Sequence, residues 1–187
     1  MKFTFVKFNK IVFIIFILFI FLISSESLLR AQNSSQFYVF YTEGKTQYKL
    51  SNFETPFDLF YGSQIPASCL LSTENNSFLE IHSDNQIIRL FPQSIIEIKN
   101  GNFFLVKGYI YINTLKVFFI DIEKPKVAIN PGVVVLGFDK VKSLFFITDS
   151  SITFNNEDIM PSKSERTFQL IDNKFVKSNQ KISLKNL

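Results

Sequence analysis

Chemistry in this chain has few places to start, because its 187 residues include one histidine and one cysteine. Glu80 and His82 stand two apart in Phe78-Leu79-Glu80-Ile81-His82. In an extended strand that spacing puts a carboxylate beside an imidazole on one face, the minimum for assisted proton transfer. With no second imidazole the pair makes a poor metal site, and a solvated strand face is the expected role. His82-Ser83-Asp84 holds the residue types of a nucleophilic triad, but sequence neighbours cannot adopt triad geometry together. Asp121 and Glu123 share a strand face as paired carboxylates would, yet Lys124 and Lys126 beside them point to surface ion pairing. Cys69 lies in the apolar run Ala67-Ser68-Cys69-Leu70-Leu71 and reads as a buried, inert thiol.

No phosphate loop, dinucleotide glycine pattern, HExxH or nucleophile elbow occurs. The sequence therefore assigns no catalytic, cofactor-binding or metal-ligating residue and calls for no cofactor; a ligand-binding residue stays unknown. A single Cys also rules out a disulfide framework and a thiolate zinc site.

Stepping along the chain, Lys2, Lys7 and Lys10 precede an unbroken apolar run from Ile11 to Ile23. Thirteen residues suit the core of a signal peptide, whereas a membrane-crossing helix needs about 20. Ser25 and Ser27 form a small-x-small cleavage pattern, with Ala31 a second candidate. Residues 1–32 are thus expected to be a signal peptide or an uncleaved anchor, with 11–25 as the inner-membrane segment in the second case. Residues 33–187 are expected to leave the cytoplasm. The formal charge of +4 belongs mostly to that leader. Beyond it stand 16 Lys/Arg and 15 Asp/Glu with no basic cluster, so nothing supports nucleic-acid binding.

The rest of the chain alternates with period two and is broken by turn residues at short intervals, which predicts an all-β domain, a sandwich, roll or solenoid-like stack. Expected strands include Ser77–His82, Gln86–Phe91, Ser94–Lys99, Asn102–Val106, Tyr109–Asn113, Lys116–Ile122, Lys126–Ile129, Val133–Phe138, Leu144–Thr148, Ser151–Phe154, Thr167–Ile171 and Lys174–Val176. Asn100-Gly101 reads as a two-residue hairpin turn, since both residues accept positive φ. The doublets Phe103-Phe104, Phe118-Phe119 and Phe145-Phe146 must each send one ring to either sheet face, into a core or onto a binding patch.

The order of these features resembles the FecR family of bacterial periplasmic domains over roughly residues 60–140. The matching steps are Tyr61-Gly62-Ser63 with Leu71-Ser72-Thr73, the strand Ser77–Ile81, the Asp84–Leu90 hairpin, Pro92-Gln93-Ser94, and Leu105-Val106-Lys107-Gly108 leading into Tyr109–Ile112. Val133–Phe138 fills the last position without the family's threonine. These are turn and strand signals, not catalytic ones. The resemblance implies an exported contact module, non-enzymatic, whose partner is another envelope or periplasmic protein. The family's signalling role needs a cytoplasmic domain, and the ten or so residues ahead of Ile11 are too few for one. The alternative is a periplasmic enzyme with a loop-borne site.

Overall fold

The computed structural model describes residues 36–122, 126–139, 143–148, 150–154, 157–160, 167–171 and 174–177. Among these, every regular element is a strand. The first eight are β1 (Tyr38–Glu43), β2 (Thr46–Lys49), β3 (Phe57–Asp58), β4 (Cys69–Thr73), β5 (Phe78–His82), β6 (Gln86–Leu90), β7 (Ile95–Lys99) and β8 (Asn102–Thr114). The second eight are β9 (Phe118–Asp121), β10 (Lys126–Ile129), β11 (Gly132–Asp139), β12 (Ser143–Thr148), β13 (Ile152–Phe154), β14 (Glu157–Ile159), β15 (Thr167–Ile171) and β16 (Lys174–Lys177). The all-β expectation holds, and so does the phase of alternation: Leu79, Ile81, Ile88, Leu90, Ile96, Ile98, Ile110 and Ile112 all point inward and are buried. Asn100 and Gly101 sit at φ 50° and 78° between β7 and β8, the positive pair that a type I′ hairpin requires.

The strands form one hydrogen-bonded network curled into two layers. Sheet A runs β1-β5-β6-β8-β11-β12-β15-β16. Sheet B runs β3-β2-β4-β7-β8-β9-β10-β13-β14. After β8 the chain lays hairpins alternately in B, A, B and A. Inward side chains of both layers merge in a single core cluster that includes Leu71, Ile88, Leu105, Ile112 and Val127. Burial of this continuous apolar surface is the main stabilising term.

Strand β8 belongs to both layers, and here the structure departs from the sequence reading. Asn102–Val106 and Tyr109–Asn113 are not two strands parted by Lys107-Gly108; they are one strand of 13 residues. Its first half pairs with β7 and β9 in sheet B, and its second half with β6 and β11 in sheet A. Gly108, at φ 91°, makes the bend. A Cβ there would fall 2.5 Å from Ser94 Oγ and 2.6 Å from Ser94 Cα, so glycine serves both conformation and close approach.

The corner is closed by hydrogen bonds. The Tyr109 N–H donates to Ser94 Oγ at 2.9 Å, and the Ser94 hydroxyl donates to Tyr109 O at 2.8 Å. The Thr73 hydroxyl accepts from the Ser94 N–H at 3.0 Å and donates to Phe91 O at 2.6 Å. Ser94 is fully buried and Thr73 nearly so. Two further corners repeat the device, with Ser77 pressed on Gly44 and Ser150 on Gly132.

Candidate interaction site

The outer face of sheet A collects the chain's sole histidine and its neighbours. Cross-strand register places Glu80 opposite Arg89, Arg89 opposite Tyr111, and Tyr41 opposite Glu80. The expected solvated face is corrected here: Glu80 is only 7% exposed although it points away from the core. Its carboxylate accepts from His82 Nε2 at 2.5 Å and from Arg89 Nε. With both oxygens engaged, the buried charge is paired rather than stranded. The Arg89 guanidinium in turn lies 4.8 Å over the Tyr111 ring.

The other suspected chemistry disperses. The Ser83 hydroxyl donates to Gln86 Oε1 at 2.6 Å. Asp121 faces Lys126 across the β9–β10 pair, while the Lys126 ammonium rests 4.8 Å over the Phe119 ring. Glu123 and Lys124 lie outside the described residues, as does residues 1–32, the expected leader. Among the described residues, no three His, Cys, Asp or Glu side chains gather as a metal site, and no helix is long and apolar enough to cross a membrane. Cys69 opens β4 and is 4% exposed. Burial pushes its thiol from the ordinary 9.0 up to about 12, which keeps it protonated and unreactive at neutral pH.

The phenylalanine doublets split as the pleat demands. Phe103 and Phe118 pack edge to face in the core with centroids 5.1 Å apart, while Phe119 stands half exposed. The side chains of Phe145 and Phe146 lie outside the described residues.

Sequence reasoning missed the concentration of aromatic surface at one end of the domain. Among the described residues, seven of the twelve exposed large apolar side chains lie between Tyr38 and Tyr61, and all seven are aromatic. Local structure explains why. A β-bulge between Val39 and Tyr41 in β1 makes Phe40 an extra residue, so Tyr38, Phe40 and Tyr41 all stand out from sheet A. The segment after β3 folds over the end of the two layers, burying Leu59 and Ile65 and leaving Phe60 and Tyr61 at 66% and 78% exposure. A turn holds that tip: the Ser63 N–H donates to Phe60 O at 3.0 Å, and the Phe60 N–H donates to Ser63 Oγ at 3.1 Å.

The rings meet the charge cluster at His82. Phe40 stacks flat on the imidazole, with centroids 4.1 Å apart and planes 4° from parallel. Tyr61 and Tyr38 flank the stack at 6.5 Å from Phe40 and 6.1 Å from His82. Phe53 and Phe57 pack edge to face at β3, the edge strand of sheet B. The Glu80–His82 pair thus supports an aromatic surface and has both carboxylate oxygens occupied. No family model, no curated protein and no solved structure matches this chain.

Proposed function

We propose that the chain is an exported, non-enzymatic binding module of the bacterial envelope that contacts another envelope or periplasmic protein. The observation that carries this reading is the aromatic end: seven exposed rings in one stretch of 24 residues, against five exposed apolar side chains over the remaining described residues. Exposed apolar side chains gathered in this way mark interaction sites in soluble proteins. Thr73, Ser94 and Gly108, three residues of the turn signals on which the FecR resemblance rests, come together at the corner across 35 positions.

The Glu80–His82 contact is the one observation on the side of an enzyme, and a ring-conserving substitution separates the two readings. His82→Phe keeps a partner for the Phe40 stack and abolishes proton transfer. In cells lacking the native gene, a folded His82→Phe protein is expected to retain function, whereas Phe60→Asp with Tyr61→Asp is expected to lose it. Loss of all function in folded His82→Phe, with the double Asp variant active, would overturn the binding reading in favour of catalysis.

A further inference from the structure

We infer that the partner docks end-on over the aromatic tip, by side-chain burial and not by strand addition, and presents an apolar, non-acidic concave surface there. This inference rests on the binding-module reading.

Strand addition requires free backbone groups on an edge strand. On sheet A that edge is β1, and the chain itself closes its first half. The Val39 N–H donates to Ser63 O at 2.8 Å, Val39 O accepts from the Gly62 N–H at 2.8 Å, and Phe37 O accepts from the Ile65 N–H at 2.8 Å. Beyond the bulge at Phe40 only the short run Tyr41–Glu43 continues the edge. On sheet B the edge at this end is β3, only two residues long. Neither offers an incoming strand a ladder, so affinity has to come from side chains.

The available area fits a protein. With about 200 Å² for a fully exposed ring, the exposed fractions of the seven side chains amount to roughly 750 Å², an upper bound close to the ~800 Å² that each partner contributes to a stable interface. A small ligand would cover a fraction of it.

Charge and shape narrow the partner. Of the charged side chains between Tyr38 and Ile65, Lys45 pairs with Glu74 at 2.5 Å, Asp58 accepts from Gln47 Nε2 at 2.8 Å, and Glu43 accepts from the Tyr41 hydroxyl at 3.2 Å. The donors to Glu43 and Asp58 are neutral, so both carboxylates keep their charge and, with Glu54 against Lys49, leave the segment slightly acidic. That slight acidity offers nothing to an anionic bilayer or to an acidic protein patch. Tyr61 is the most exposed of all these side chains and crowns a protruding turn. Two such convex tips meet over little area, which disfavours a second copy and calls for a concave surface.

Site-specific photocrosslinking of the full chain in its own cells tests this. A p-benzoylphenylalanine replaces either Tyr61 or, as a control on the outer face of sheet B, Phe119. The Tyr61 position should give one discrete adduct that mass spectrometry identifies as a different protein, and the Phe119 position none. Phe60→Asp and Phe60→Lys should each reduce that adduct tenfold or more, with circular dichroism unchanged. Tolerance of Phe60→Lys with loss in Phe60→Asp would reveal an anionic partner or lipid and overturn the non-acidic surface. An adduct of twice the chain's mass would replace the partner by a second copy. Protein adducts from Phe119 alone would sink end-on docking while leaving the binding module intact; lipid adducts alone, from both positions, would sink both.

Discussion

The corner at Gly108 and the aromatic end at Tyr61 are built from the same kinds of element, a turn and the strands it joins, and they spend their residues oppositely. At the corner every polar group of Thr73, Ser94 and Tyr109 described above has a partner, and Ser94 is wholly buried. At the end, backbone groups are likewise satisfied, by Val39, Gly62 and Ser63, yet the large side chains are turned outward. The contrast separates two kinds of constraint. The corner fixes which strands meet; the end presents a surface whose rings do little for the fold.

Substitutions that hit one region and spare the other sharpen this contrast. The largest effect is expected from Gly108→Ala, which places a Cβ against Ser94 at positive φ and should cost about 3–5 kcal/mol, read by chemical denaturation. Ser94→Ala comes next. It removes the Oγ that accepts from the Tyr109 N–H, leaving that donor short of its buried partner, and should cost about 1–3 kcal/mol. A smaller effect is confined to alkaline solution. The Cys69 pKa is raised in the fold, so its contribution is fully present below about pH 9 and is lost as pH rises toward about 12. Cys69→Ala should flatten that part of the stability profile, and native Cys69 should react with a thiol reagent at pH 8 only after unfolding. The smallest change in stability belongs to Tyr61→Asp, within about 0.5 kcal/mol of the parent, although this variant should lose binding. A Tyr61→Asp protein as unstable as Gly108→Ala would erase the distinction between the two regions.

Much of the frame is legible in the sequence because it is local. Asn100-Gly101 announces its turn through two residues that tolerate positive φ, and the alternation of Ile96, Ile98, Ile110 and Ile112 gives the inward face directly. What escapes is whatever depends on distant residues or on a break in period. Lys107-Gly108 looks like a strand boundary because glycine weakens a strand; only Ser94, fourteen positions earlier, reveals it as a bend within one strand. The bulge at Phe40 hides β1 for the same reason, since Tyr38, Phe40 and Tyr41 do not alternate. Glu80 reads as solvated because neither Arg89 nor the Phe40 stack on His82 is adjacent to it in the chain. The candidate site was the least legible part: a sequence with 24 phenylalanines does not say which of them are left uncovered.

The sharing of β8 between the two layers has a consequence for how the domain comes apart. A sandwich whose layers have separate central strands can lose one layer's edge while the other persists. Here Phe103–Leu105 and Ile110–Ile112 lie on one continuous backbone, with neighbours on both sides in both sheets. Releasing either half removes the central support of the other, which couples the layers into one cooperative opening unit. Its amides are expected to exchange with solvent only through global opening, and those of Phe60–Ser63 through local opening of the turn, which hydrogen exchange would measure. The surface proposed to meet a partner should therefore open independently of the strand that holds the layers together.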